Sequence, residues 1–218
     1  MTQNLGTNRF LDTILQQIYY LLYHQFAWTY DWVSAAVSCG RWQDWIKVTL
    51  PFLTGPRVLE LGHGPGHLHA ALQCRQISVV GIDASAPMGR IARRVLLRKG
   101  ILPILVNGYA QFLSFKSESF DQVVATFPSD YIFDPLTLSE ARRVLKQNGK
   151  LIVLLGAWNT NRNLCQKLTG WLLRTSGEHA LETIRRYTDP FNKAGFKAEL
   201  KLLDQVESRL VLILAERY

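Results

Sequence analysis

The chain has 218 residues, 48% of them hydrophobic and 19% charged, with 25 Lys and Arg against 17 Asp and Glu. That length fits one domain with at most a small attached cap, and the composition excludes a disordered chain. Cys39, Cys74 and Cys165 cannot all pair and none stands in a C-x-x-C, which excludes a disulfide scaffold or zinc ribbon and makes a reducing compartment the default.

Residues 1–12 contain no basic segment leading into an apolar one, so no signal peptide is indicated. Gln16, Gln17, His24 and Gln25 interrupt the first apolar stretch, and no stretch approaches the roughly 20 residues that span a bilayer. A soluble, cytoplasmic protein is expected. Residues 10–50 read as helices rich in aromatics, among them Tyr23, Trp28, Tyr30, Trp42 and Trp45. They predict a helical cap over 1–50, followed by the main domain over 51–218.

From Arg57 onward, short apolar runs alternate with helical stretches. RVLEL is a buried strand, followed by a glycine loop and the helix HLHAALQC. ISVVGID is a second strand. The segment MGRIARRVLLRKG then reads as a helix with Ile91, Val95 and Leu96 inward and Arg90, Arg93, Arg94, Arg98 and Lys99 outward. A solvated face is the favoured reading of that basic ring over a nucleic-acid or anionic-membrane patch, because no aromatics interleave with it. ILPILV, FDQVVATF and KLIVLLGAW are further strands, and LSEARRVLKQNG is a helix expected to end with Gly149 as its cap. Continuous apolar strands separated by helices predict an α/β fold with a parallel sheet covered on both faces. A helix over LETIRRYTDPFNKAG then leads to a closing hairpin, FKAELKLLDQ and SRLVLILAERY, turning near Val206–Ser208.

The central motif is VLELGHGPGHL, residues 58–68, placed between a strand and a helix. There, glycines let the backbone approach a ligand closely. A dinucleotide loop needs G-x-G-x-x-G, whereas here Gly62, Gly64 and Gly66 are spaced G-x-G-x-G and His67 takes the third dinucleotide position. NAD is thereby disfavoured.

Glu60-Leu61-Gly62-His63-Gly64-Pro65-Gly66 resembles the cofactor loop of the class I S-adenosylmethionine-dependent methyltransferases, and the resemblance runs from about Arg57 to the C-terminus. Ser119–Val124 and Glu140–Gly149 are similar to later landmarks of that family, and the small-molecule branch that includes ubiquinone/menaquinone methyltransferases looks nearest. The resemblance implies a Rossmann-like, doubly wound seven-stranded sheet of order 3-2-1-4-5-7-6 with an antiparallel last strand and an N-terminal helical cap. It implies S-adenosylmethionine as cofactor, bound by Tyr30, Glu60, Gly62, His63, Gly64, Gly66, Asp83, Ala84, Met88, Tyr109, Ala110, Gln111 and Thr126. Asp83, taken to sit at an exposed strand end, would bind both ribose hydroxyls, and Met88 would lie against the adenine. The chain departs from that branch in carrying Tyr109 within Gly108-Tyr109-Ala110, where the branch has an Asp.

His63, His67 and His69 have no carboxylate or cysteine to complete a set, so no metal site is expected. Cys165 reads as an idle thiol. Phe127-Pro128-Ser129-Asp130-Tyr131 follows the fourth strand, where Asp130 and Tyr131 are candidate substrate contacts. The insertion near 158–175 carries the stripe Leu164, Leu168, Trp171 and Leu172 and reads as a docked helix, a lid or a membrane-surface helix. Tyr23, Trp28, Tyr30 and Trp171 are the expected lining of an apolar acceptor pocket.

The expected function is methyl transfer from S-adenosylmethionine to a small apolar or aromatic acceptor, with His24, His63 and Tyr131 as candidate general bases. The rival readings are an RNA methyltransferase that uses the net charge of +8 and a non-catalytic S-adenosylmethionine-binding module. Nucleic acid is disfavoured as a partner, peripheral membrane contact stays open, and oligomeric state is not legible.

Overall fold

The structure, a computed structural model, describes Ser38 and residues 40–159 and 177–218. The expectations for Tyr23, His24, Trp28, Tyr30, Cys39, Cys165 and Trp171, and most of the cap and the insertion, lie outside the described residues. Those residues form seven strands in the order β3-β2-β1-β4-β5-β7-β6: β1 (Arg57–Leu61), β2 (Ser78–Asp83), β3 (Leu105–Asn107), β4 (Phe120–Thr126), β5 (Leu145–Asn159), β6 (Phe196–Gln205) and β7 (Ser208–Arg217). The first five pair in parallel, and β7 runs antiparallel to both its neighbours. The helices are α1 (Trp42–Lys47), α2 (His67–Gln73), α3 (Ala86–Arg98), α4 (Pro135–Val144) and α5 (Gly177–Lys193).

Two-residue alternation along the central strands sorts their side chains between two cores. Leu59, Val123, Ala125, Leu151, Val153 and Ile213 face one core, where Leu138, Ala141 and Val144 of α4 and Phe191 of α5 cover them. Val58, Val124, Ile152, Leu154 and Leu212 face the other, under Trp45 and Ile46 of α1 and Leu68 and Leu72 of α2. Glu60 shares the parity of Val58 and therefore turns toward α2. Trp45 anchors α1 by donating from its indole nitrogen to Ser208 Oγ at 2.9 Å. Among the described residues, no helix is long and apolar enough to cross a membrane.

Two helices differ from the sequence expectation. The inward stripe of α3 is Met88, Ala92 and Leu96, all fully buried, while Ile91 and Val95 are only half-buried. Residues four apart stack on one helix face, and that ridge lies deeper than the neighbouring one. The α4 helix ends at Val144 rather than at Gly149, because Leu145 is drawn into the sheet, where it is fully buried and pairs with Phe120. Gly149 is no cap: a Cβ there would lie 2.8 Å from the Lys146 carbonyl oxygen.

One ion pair ties the chain between β3 and β4 to α4. Arg143 donates to Glu140 through Nε (2.7 Å) and a terminal nitrogen (2.9 Å), and to the carbonyls of Leu113 and Phe115 at 2.8 Å each. Glu140 in turn accepts from the Leu113 N–H at 2.8 Å. The Arg143 guanidinium holds the Glu140 carboxyl below the usual carboxylate range, with the Leu113 bond helping. A depressed folded-state pKa gives stability that is present above the ordinary carboxylate value and is lost as pH falls through the folded one. Glu140→Gln is expected to cost about 1 kcal/mol near neutral pH, a figure kept small by partial exposure of the pair. In urea titrations the gap between wild type and variant should narrow as pH falls below the ordinary carboxylate range.

Candidate functional site

The site lies at the carboxyl ends of β1, β2 and β4, where an open parallel sheet presents its loops to a ligand. Gly62 takes φ +68°, and a Cβ there would lie 2.7 Å from the Tyr131 hydroxyl. Gly64 is also left-handed at φ +50°. The N–H of Gly62 donates to the Ile82 carbonyl at 2.8 Å. Gly66 (φ +84°) serves packing instead: its absent Cβ lets Ala92 of α3 come within 3.2 Å of the place it would occupy. Gly66 accordingly does not line the cavity.

Asp83 ends β2 and is only 3% exposed. The sequence suggested an exposed strand end; the glycine loop folding over β2 buries it instead. One carboxylate oxygen accepts from the Gly64 N–H at 2.9 Å and the other from the Ser85 N–H at 2.8 Å. The carboxylate thus fastens the glycine loop to the start of α3. Ser85 caps that helix by accepting from the Met88 N–H at 3.3 Å.

A cavity of about 670 Å³ opens over this loop, and Glu60, Gly62, His63, Gly64, Asp83, Ala84, Tyr109, Ala110, Gln111, Thr126, Asp130 and Tyr131 line it. Of the described residues named from the sequence for the cofactor, only Gly66 and Met88 stand apart. Met88 is fully buried beneath α3. The His63 ring donates from Nδ1 to the Gly64 carbonyl at 2.8 Å. In the neutral ring that leaves Nε2 as the nitrogen with the lone pair. The Tyr131 hydroxyl donates to the Leu61 carbonyl at 3.2 Å, which brings the loop after β4 against the glycine loop. Gln111 donates to Asp134 at 3.1 Å, and Asp134 also caps α4 through the Leu136 N–H.

Phe127 and Pro128 of the loop after β4 join Trp42 of the aromatic cap segment in one apolar wall, to which Ile46, not singled out by sequence reasoning, also contributes. Trp42 stacks on Phe127 with ring centroids 4.1 Å apart. Phe127 adopts φ +49°, an uncommon conformation for a bulky residue and one that clusters at functional sites. No local signal marks it, since both the strain and the stack arise from tertiary packing. Behind the loop, Glu60 and His69 are both buried, with Glu60 Oε2 3.5 Å from His69 Nδ1. Neither that oxygen nor either ring nitrogen has a hydrogen-bond partner. His69, which the sequence placed simply on the helix after the loop, is the inner neighbour of the cavity's one buried glutamate.

The left-handed glycine and the buried, doubly bonded aspartate fit a nucleoside cofactor held by backbone groups on one side and a carboxylate on the other. Residues 59–153 match the family model described as a methyltransferase domain. The chain is 31% identical over 143 residues to a demethylmenaquinone methyltransferase of Symbiobacterium thermophilum, and 32% identical over 142 residues to the ubiquinone/menaquinone biosynthesis C-methyltransferase UbiE of Teredinibacter turnerae. Each match covers 61% of this chain and 57% of the relative, so the chain spans little more than half the length of these curated relatives. In fold it is similar to phospholethanolamine N-methyltransferase 2 of Haemonchus contortus, solved with phosphomonomethylethanolamine and S-adenosylhomocysteine. That likeness has a TM-score of 0.62 at 16% identity, covering 88% of this chain and 56% of that one.

Two substitutions test the construction of the site. In Gly62→Ala the new methyl group displaces the Tyr131 hydroxyl and forces a left-handed alanine. The expected cost is about 1–3 kcal/mol of stability, with a matching loss of ligand retention seen by calorimetry. His69→Ala leaves Glu60 buried without its neighbour and opens a cavity, so a loss of about 3 kcal/mol or more is expected in chemical denaturation.

Proposed function

We propose, from the premise that residues 59–153 are a class I S-adenosylmethionine-dependent methyltransferase domain, that this protein transfers a methyl group to a small apolar or aromatic acceptor. The main domain is taken as 51–218, with 1–50 as its cap. The observation that carries the reading is the Asp83 carboxylate, buried at the end of β2 and fixed to the glycine loop by the Gly64 N–H.

When bound, the cofactor supplies a methyl group already activated on a sulfonium sulfur. The residues that would hold it are the backbone of Gly62–Gly64, the carboxylate of Asp83 for the ribose hydroxyls, Glu60 beside the loop, and Ala84, Tyr109, Ala110, Gln111 and Thr126 around the base and the sulfur end. The protein's task is then alignment and exclusion of water. Gln111, pinned by Asp134, and Tyr131, pinned by the Leu61 carbonyl, are pre-positioned for that alignment. Where the acceptor must lose a proton, His63 is the group of choice. Its Nδ1–H is committed to the Gly64 carbonyl, so Nε2 is the site that takes the proton. The acceptor's apolar character is supported by Trp42, Ile46, Phe127 and Pro128, which form one wall of the cavity. A small number of polar groups facing such a wall is the usual make-up of a small-molecule site.

The reading is tested by titrating the protein with S-adenosylhomocysteine, S-adenosylmethionine and NAD in calorimetry and thermal-shift assays. The first two are expected to bind in the micromolar range and NAD not at all; stabilisation by NAD alone would overturn it. Asp83→Ala is expected to lose about 2–4 kcal/mol of cofactor affinity. Because Asp83 also accepts the Gly64 and Ser85 N–H groups, the apo variant should melt earlier too. Asp83→Asn, which keeps an acceptor for one of those N–H groups, separates the two losses: it should recover part of the melting temperature and little of the affinity.

A further inference from the structure

The sheet's β3 edge carries a charge distribution that the cofactor site does not use. Residues 84–117 contain six basic side chains and no acidic one. Arg90, Arg94, Arg98 and Lys99 are exposed along and just beyond α3. The connection that follows α3 into β3 exposes large aliphatic side chains: Leu102 is 81% exposed and Ile104 is 51% exposed. Past the other end of β3, Phe112 is 70% exposed. Among the described residues β3 pairs only with β2, so this strand is an edge of the sheet. Single exposed apolar residues need no explanation, whereas several along one edge beside an acid-free run of arginines do.

We propose that this edge docks on an anionic phospholipid surface, with Leu97, Leu102, Ile104 and Phe112 entering the interface and the α3 arginines facing the headgroups. Charge complementarity selects the occupant. Basic side chains near an anionic leaflet are attracted within a Debye length, and apolar side chains between them gain by leaving water. A nucleic acid would satisfy the arginines but offers nothing to exposed leucine and isoleucine, since strand-binding surfaces use aromatic rings on which bases stack. A protein partner complementary to six cations would need a matching acidic face, which a bilayer supplies without any specific fold. The surface also reaches the site, because Tyr109 is both exposed and part of the cavity wall. Docking would set one lip of the cavity at the membrane, and it does not rest on the function proposed above.

The test is co-sedimentation of the full chain with extruded vesicles, one set of phosphatidylcholine alone and one containing a third of phosphatidylglycerol. The chain is expected to pellet with the anionic vesicles and not with the neutral ones, and to bind at least about tenfold more weakly at about 0.5 M salt than at about 0.1 M. Arg94→Glu/Arg98→Glu and Leu102→Asp/Ile104→Asp are each expected to weaken that binding by about tenfold or more. Both pairs lie on the surface away from the cavity, so melting temperature and S-adenosylhomocysteine binding should hold in both variants. Equal binding to both vesicle types, or none to either, would overturn the proposal. So would preference for a single-stranded oligonucleotide that is indifferent to Leu102→Asp/Ile104→Asp. Titration with S-adenosylhomocysteine on the same samples reports on the cofactor reading separately, so the two can fail independently.

Discussion

A single carboxylate holds the functional end of this molecule in shape. Asp83 spends one oxygen on the Gly64 N–H and the other on the Ser85 N–H, and by doing so fixes a left-handed glycine loop to the helix that follows the next strand. A buried carboxylate is tolerable because charge-assisted bonds to backbone N–H groups replace its hydration. The group that shapes the loop also lines the cavity above it. Loop geometry and cavity lining converge on one side chain, so a substitution there disturbs both.

Around that point the fold is a consequence of parity. Val58 and Glu60 share one face of β1, and Leu59 and Leu61 share the other. A charged residue at position 60 therefore has to turn toward α2, where His69 is the polar group that meets it. The pair is an expensive feature to keep beneath an apolar layer, and its place directly behind the glycine loop gives the cavity a polar floor. Another wall is built from Trp42 and Phe127 and is almost wholly apolar. The cavity is thus polar where it abuts the strand ends and greasy where α1 closes it.

Much of this was legible in the sequence because it depends on local spacing. The strand runs, the G-x-G-x-G loop and the aspartate at the end of β2 all announce themselves within a few residues. So does the closing hairpin, and the strand order followed from the resemblance those motifs carry. What escaped depends on contacts between distant segments. Met88 was read as a ligand contact, yet it stands fully buried on the ridge it shares with Ala92 and Leu96. Gly66 belongs to the motif but serves the approach of α3. The glycine at 149 predicts the end of α4 several residues too late, because the burial of Leu145 in the sheet stops the helix first. The basic ring of α3 is exposed, as its pattern implies, whereas the exposure of Leu102 and Ile104 beside it is a property of the folded edge and not of the string of letters.

Phe127 illustrates how such a site constrains the sequences that can occupy it. Its backbone sits where glycine or asparagine would be at ease, yet its ring is half of the stack that lines the cavity. Random variation at this position has two incompatible ways to improve: a smaller residue relaxes the chain and erases the wall, while any large residue keeps the wall and inherits the strain. Trp42, the other half of the stack, lies on a regular helix and carries no such backbone constraint. The shape of this wall is thus held by a residue whose replacement is penalised whichever way it goes.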